Sequence, residues 1–230
     1  MRKKSSVILA AAALVLMLCG CRSQSPELVF LQENGSPTAY LVLSRDYGGG
    51  VLLLRQEILP DPLPYADDDD SYYAGSVIDR WLCDTFPQRF SQEIRDGLQP
   101  VPIEICRRFP DNSRTETIDR AVFLPSATEA GIDMDIVTVE GVPLPALRDS
   151  TILQALCGED PTGWWLRSAY VADRGLAWHI SANGTVGGRP LWQPSGIRPA
   201  VCISRQLLSS LPTESPNPVH LPVTHGNEIK

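Results

Sequence analysis

The sequence is poor in the residues from which catalytic centres are most often built. It contains only three histidines among 230 residues. His220 and His225 fall in a proline-rich C-terminal segment, and His179 stands in a predicted strand with no acid at a fixed offset. Because no Gly-x-Ser-x-Gly element is present either, the sequence offers no Ser-His-Asp or Cys-His catalytic set. We therefore predict a protein that is not an enzyme, with no catalytic residue.

Closely spaced metal ligands are also missing. None of the six cysteines forms a Cys-x-x-Cys pair, which excludes the common zinc and thioredoxin-type motifs. The acidic run Asp67–Asp70 is better explained as a solvated loop than as a calcium site, because four consecutive acids cannot all face one ion. We predict neither a metal nor a cofactor. Four cysteines of the body either form disulfides, for which three full pairings exist, or pack as small apolar side chains: Cys83, Cys106, Cys157 and Cys202.

Positive charge is in short supply. The chain has 20 basic and 27 acidic residues, and three of the basic residues lie in the first four positions. The remainder carries 17 basic against 27 acidic residues, a net charge of −10. Nucleic-acid binding needs a basic surface, so we exclude DNA and RNA as partners.

What the sequence does contain is an N-terminal export signal. A basic start is followed by the apolar stretch Val7–Leu18 and then by Leu18-Cys19-Gly20-Cys21. The stretch is short for a membrane-spanning helix and typical of a secretory signal peptide. The order of leucine, small residue, glycine and cysteine resembles the lipobox of bacterial lipoproteins. That resemblance implies that the Cys21 sulfur receives a lipid such as a palmitate-bearing diacylglyceryl group and becomes the new N-terminus.

The predicted lipid implies where the protein lies and makes the membrane one of its partners. A lipid-modified Cys21 anchors the protein in the cell membrane, facing outside the cytoplasm, as a component of the cell envelope. An ordinary transmembrane anchor, or a signal peptide cleaved elsewhere, is the alternative. We divide the chain into the leader at 1–21, a tether at 22–27, one domain at 28–208 and a proline-rich, disordered tail at 209–230.

The pattern of the domain predicts an α+β fold. Two capping boxes, at Ser76–Asp79 and Ser126–Glu129, indicate helix starts, and Pro87 is expected to end the first helix. Further helices are predicted at 91–98 and 150–156. Strands and hairpins are predicted in the remaining apolar runs, with Asn183-Gly184 as a type I′ turn: 39–43, 51–54, 101–105, 136–139, 163–170, 176–181 and 196–203.

Tryptophans cluster in the last third of the chain and form the candidate ligand-binding site. Strand alternation places Trp165 and Arg167 on one face, and Trp164 on the other. Tryptophan faces stack on sugar rings and arginine binds carboxylates in bidentate fashion. We therefore consider a groove lined by Trp165, Arg167 and Trp192. The alternative is that the tryptophans fill a core and the arginines brace strand ends.

Four blocks of the sequence resemble a bacterial family of domains of unknown function found in exported proteins and lipoproteins. The resemblance covers roughly Tyr40 to Ile203, and it implies a C-type-lectin-like fold, in the variant shared with formylglycine-generating and sulfatase-modifying enzymes. This fold has a twisted antiparallel sheet, two or three short flanking helices and long loops. The blocks are Tyr73–Leu82, Val122–Ala130, Trp164–Ser168 and Gly196–Ala200.

The resemblance implies no activity, because the family has no established one. The sequence also lacks two ligand sites that are known in proteins of the implied fold. The formylglycine-generating enzymes bind copper through a pair of cysteines near the end of the domain, where this chain has only Cys202. Calcium-dependent lectins use an acid that Gln193-Pro194-Ser195 lacks. We expect a non-enzymatic binding domain for a glycan, the cell wall or an envelope protein. A degenerate or unrecognised enzyme of the formylglycine-generating type and a structural component of the envelope are the alternatives.

Overall fold

The computed structural model describes residues 27–213, and the predicted leader, with Cys21, and residues 214–230 lie outside this part. Twelve short strands and few short helices make up the described chain, in agreement with an α+β fold. Two antiparallel sheets and two small ribbons share the strands. Between residues 27 and 213, no helix has the length and apolarity to cross a membrane.

The larger sheet has five strands in the order β1-β2-β3-β12-β6. The predicted runs 39–43 and 51–54 form a hairpin, β2 and β3, and another hairpin precedes it, with Asn34 and Gly35 at its tip. Both tip residues have positive φ, as a type I′ turn requires. The strands are β1 Leu28–Glu33, β2 Ser36–Tyr47, β3 Gly50–Arg55, β6 Val122–Phe123 and β12 Ala200–Ile203.

The smaller sheet has three strands in the order β11-β10-β9. Its strands are β9 Trp164–Ala169, β10 Leu176–Ile180 and β11 Val186–Pro190. The predicted hairpin at Asn183-Gly184 is present, but the type I′ turn was wrong, since only Gly184 has positive φ. The Gly184 amide donates to the Ser181 carbonyl and the Ser181 amide to Thr185, the arrangement of a three-residue loop ending in a left-handed glycine.

Two ribbons complete the β structure. β4 Val101–Cys106 pairs with β5 Thr115–Arg120, and β7 Ala155–Cys157 pairs with β8 Asp160–Thr162. Within residues 27–213, β4 pairs with β5 alone and so has a free edge, which suits a strand that contains Pro102. The predicted helix at 150–156 ends early, since the chain enters β7 after α3 Ser150–Leu153.

The first capping box starts a longer helical segment than predicted. The Ser76 hydroxyl accepts from the Asp79 amide, and α1 Val77–Arg80 continues as a π-helix, Trp81–Thr85, and a 3₁₀ helix, Phe86–Arg89. Pro87 does not end this segment, because it occupies the first turn of the 3₁₀ helix, where its missing N–H costs no hydrogen bond. The remaining helices are α2 Gln92–Asp96, a 3₁₀ turn at Pro145–Arg148, and α4 Arg205–Ser210.

The C-terminal boundary of the packed chain lies beyond Leu208. Helix α4 runs to Ser210, Leu211 packs partly against the core, and the Pro212 carbonyl accepts from the Phe30 amide of β1. The predicted tail therefore starts too early, because its first residues bond to the sheet edge. The rest of that tail, from 214, lies outside the described residues.

Candidate ligand-binding site

The structure does not assemble the predicted groove. Trp165 and Arg167 are fully buried, whereas Trp192 is 71% exposed on the loop after β11. All six residues of β9 are buried because the strand lies between two hydrophobic clusters. Trp165 packs in the larger cluster and Trp164 in the smaller one, so the predicted alternation is confirmed but neither face is open to solvent. The core alternative is the one that the burial supports.

Arg167 is the centre of a buried polar network. Its guanidinium bonds both oxygens of the Glu129 carboxylate, at 2.6 and 3.0 Å, and also donates to the carbonyls of Glu104 and Leu124. The Tyr47 hydroxyl donates to the same carboxylate. Burial lowers the pKa of Arg167, but the negative charge of Glu129 outweighs it and the pKa is raised. Arg167 is therefore charged and has a structural role, because it joins β9 to the segment that contains Glu129.

Glu129 belongs to the second capping box. Its amide and carboxylate exchange hydrogen bonds with the hydroxyl and amide of Ser126, as the motif requires. A full helix does not follow: the chain makes a single turn and Gly131, with φ of +76°, ends it. The short helix that the capping box predicts is thus reduced to this one turn, and the Glu129 carboxylate that caps it also bonds the buried Arg167.

The following residues, 132–143, form a loop that we call the inverted loop. Thr138 and Glu140 are buried, with 8% and 0% exposure, while Val139 and Val142 are 69% and 68% exposed. The strand predicted at 136–139 is absent, and no regular element replaces it. At Thr138, Val139, Glu140 and Val142 the polar side chains thus point inward and the apolar ones point to solvent, the reverse of the usual arrangement.

Hydrogen bonds hold the inverted loop in this orientation. The Glu140 carboxylate accepts from the Cys106 amide at 2.6 Å and from the Ser168 hydroxyl, and the Thr138 hydroxyl donates to the Asn112 carbonyl at 2.8 Å. Burial raises the pKa of Glu140, and the positive charge of Arg167 opposes that rise only in part. Because the polar residues are fixed from inside, Val139 between them must face outward.

Two adjoining clefts lie beside the inverted loop. The larger, which we call the main cleft, has a volume of about 870 Å³. The smaller, the arginine cleft, measures about 620 Å³, and the two share Val137 and Val139. Mainly apolar side chains line the main cleft: Ile132, Met134, Val137, Val139, Val142 and Val186. Four of the seven exposed large apolar residues of the described chain belong to the inverted loop.

The linings of these clefts carry positive charge. Arg107 and Arg114 line the arginine cleft, and Arg148 lines the main cleft. Within residues 27–213, none of these three guanidiniums forms an ion pair with an acid, whereas the neighbouring Arg108 pairs with Asp70 at 2.9 Å. Asp133 and Asp135 also border the clefts, so the positive charge is partly balanced. The combined surface can accept an apolar chain that carries negative groups.

His179 is held as a neutral structural residue. Its Nε2 lies 2.7 Å from the Ser195 hydroxyl, which also donates to the Gly163 carbonyl, and its ring packs edge-on against Trp165. Burial, helped by the charge of Arg189, lowers the pKa of His179 to about 4. No carboxylate among the described residues bonds to its ring. The pair therefore ties β10 to the loop before β12.

The four cysteines of the body are free thiols. Burial raises the pKa of the Cys202 thiol to about 12, so this side chain is a protonated thiol at neutral pH. The acidic run takes part in ion pairs, Asp67 with Arg80 and Asp70 with Arg108. Among residues 27–213, no group of three or more histidine, cysteine or acidic side chains is arranged to hold a metal ion.

The structure therefore defines a mostly antiparallel α+β domain with a buried polar centre and an apolar cleft. The chain belongs to a family described as a domain of unknown function, DUF6273, whose model matches residues 48–205. This confirms the predicted membership in a family of unknown function and covers most of the range predicted from the sequence. Comparisons with curated proteins and with solved structures found no match.

The inverted loop was missed from the sequence for a physical reason. Its residues, Ile136-Val137-Thr138-Val139-Glu140, alternate as a half-buried strand does, and the alternation predicts that the valines face the core. Val139 instead faces solvent, and Val137 is only half-buried, because the partners of Thr138 and Glu140 come from distant parts of the chain. Only the two prolines and the glycine that follow, at 141–145, indicated an irregular segment.

Proposed function

We propose that this protein is a lipid-anchored, extracytoplasmic binding protein whose main cleft takes a segment of another protein. The observation that carries the proposal is the inverted loop, in which the buried Thr138 and Glu140 hold Val139 in water and Val142 is exposed beside it. Fully burying one such side chain would contribute roughly 1.5–3 kcal/mol. An apolar surface held open in this way is typical of an interaction site.

The lining of the clefts favours a protein segment over a glycan. Sugar rings are usually bound on the faces of exposed aromatic side chains. Neither cleft has an aromatic residue in its lining, and Trp192, the exposed tryptophan, lies outside both. The arginines that border the clefts add charge complementarity toward acidic groups. We infer an extended ligand with apolar side chains for the main cleft and acidic ones for Arg107 and Arg114.

The remaining parts of the proposal concern fold and location. A C-type-lectin-like fold is supported by the antiparallel sheet, the short helices and the long irregular segments between β5 and β9. The lipid on Cys21 rests on the residues of the leader, Leu18-Cys19-Gly20-Cys21. Radiolabelled palmitate incorporated by cells expressing the chain, and lost in Cys21→Ser, tests the anchor independently of the ligand.

The binding test uses the full chain in detergent and short, fluorescein-labelled peptides of three compositions. One alternates leucine and glutamate, one leucine and lysine, and one serine and glutamate. We expect saturable anisotropy changes only with the leucine-glutamate peptide. Val139→Ser and Val142→Ser should each weaken it about fivefold to tenfold, because each removes apolar area from the contact. Arg114→Ser should weaken it and reduce the dependence on salt.

Trp192→Ser is the matched control, since it removes an equally exposed apolar side chain outside the clefts. It should bind the peptide as the unmodified chain does. All four variants should unfold at the same denaturant concentration because the replaced side chains are exposed. The proposal is wrong if none of the peptides binds, or if cell-wall glycan binds instead and the binding is lost in Trp192→Ser.

A further inference from the structure

A second site lies beside Trp164 of the smaller hydrophobic cluster, around Arg198. This arginine is 2% exposed, and no acid lies within ion-pair distance of it among the described residues. Its guanidinium is held by three backbone carbonyls: Nε donates to Arg55 at 2.9 Å, Nη2 to Gln56 at 3.0 Å, and Nη1 to Ile152. One face of the guanidinium lies over the Trp164 ring, 5.3 Å from its centroid.

Three carbonyls do not satisfy this side chain. A guanidinium has five N–H groups, so one N–H on Nη1 and one on Nη2 have no acceptor within the described chain. Leaving a buried donor without a partner is unfavourable, and more so when the donor is charged. Backbone carbonyls are neutral, so they bind the guanidinium without cancelling its positive charge. Burial alone lowers the pKa of Arg198 to about 9.

A pocket of about 280 Å³ opens at this guanidinium. Arg198 forms part of its wall, together with Gln56 and Ile152, the two residues whose carbonyls bind Nη2 and Nη1. The volume lies just below the range of pockets that hold drug-sized ligands, which limits the occupant to a small molecule. The exposed Glu57 also lines the pocket and has no ion-pair partner among residues 27–213. The pocket thus presents one buried positive and one exposed negative group.

We propose that this pocket binds a small zwitterion of the free amino acid type. The ligand carboxylate accepts from the two free N–H groups of Arg198, and the ligand ammonium faces Glu57. A carboxylate matches the planar fork of a guanidinium and supplies the missing counter-charge. The site shares no lining residue with the main cleft, although residues of α3 border both, so it does not depend on the proposed protein ligand.

The test titrates the full chain in detergent with glycine, acetate and methylamine at constant ionic strength, followed by isothermal calorimetry and by the unfolding temperature. We expect saturable binding of glycine, weaker binding of acetate and none of methylamine. Glu57→Gln should weaken glycine about fivefold, as the loss of an exposed charge pair does, and leave acetate unchanged. Leu156→Trp should abolish both, because Leu156 is exposed at the pocket and a larger side chain there blocks entry.

Two controls keep the proposal open to refutation. Leu156→Ala removes the same side chain without blocking the pocket, and it should bind glycine normally. Arg198→Lys keeps the charge but loses the planar fork, so the folded variant should not bind glycine. If Arg198→Lys does not fold, Leu156→Trp provides the test instead. The proposal is overturned if glycine and acetate fail to bind at millimolar concentrations, because water would then be the acceptor for the two free N–H groups of Arg198. It is also overturned if the Leu156→Trp variant binds both molecules as the unmodified chain does.

Discussion

Arg167→Met provides the sharpest test of the buried polar network. The substitution keeps most of the side-chain volume and removes the charge that neutralises Glu129, a carboxylate with no exposure to solvent. It also leaves the carbonyls of Glu104 and Leu124 without their donor. Breaking a buried ion pair by removing one partner costs about 3–5 kcal/mol. Since domains of this size are stable by roughly 5–15 kcal/mol, the loss is a large fraction of the total.

The measurement is urea unfolding at pH 7, followed by tryptophan fluorescence, because three buried tryptophans report on the core. The matched control is Arg45→Met, which removes an exposed partner of Glu27 and should cost less than about 1 kcal/mol. Replacing both partners, as Arg167→Met with Glu129→Met, should recover part of the loss because no unpaired charge remains buried. If Arg167→Met costs no more than Arg45→Met, Arg167 does not act as the buried structural charge described above.

Two further predictions concern stability. When the pH is lowered from 7.5 to 5, the free energy of unfolding should fall by ~1–2 kcal/mol more in the unmodified chain than in the His179→Gln variant. This figure allows for the partial exposure of the ring. The pKa of His179 is about 4 in the folded protein and about 6.5 in the unfolded chain, so the unfolded chain takes up a proton first as the pH falls. The contribution of the neutral imidazole to folding stability is therefore complete above pH 6.5 and is lost as the pH falls toward 4. Parallel pH dependences in urea titrations would contradict this. Gly196→Ala should cost about 1–3 kcal/mol, because its Cβ would lie 2.6 Å from the Gly163 carbonyl oxygen. Gly187→Ala, which meets nothing within 4 Å, should unfold with the unmodified chain, and equal losses in the two variants would refute the steric argument.

Local features were predicted correctly where the chain itself supplies the partners. The capping residues Ser76 and Ser91 start helices because the hydroxyl of each bonds an amide three residues later. The hairpin at Gly48–Gly50 forms because glycine tolerates positive φ, and β9 and β10 follow from their aromatic and β-branched residues. These interactions span a few residues, so the sequence pattern contains their whole cause.

The candidate site could not be predicted in the same way. The aromatic and basic residues around β9 suggested a groove, but whether Trp165 and Arg167 face solvent depends on what packs on each side of the strand. Both faces of β9 are covered, one by the main core with Tyr65 and the other by the cluster with Trp178. No local pattern shows this, because the covering residues come from distant parts of the chain.

The amino-acid sequence by itself determined the family, the α+β class and most of the strands and helix starts, while the export signal and its lipid-acceptor cysteine stay predictions. Tertiary structure decided which polar residues are buried and which apolar residues are not. Glu129 lies next to Arg167, and Glu140 next to Ser168, only after strands far apart in sequence have come together. Those long-range bonds fix the inverted loop and, with it, the cleft that we propose as the binding surface.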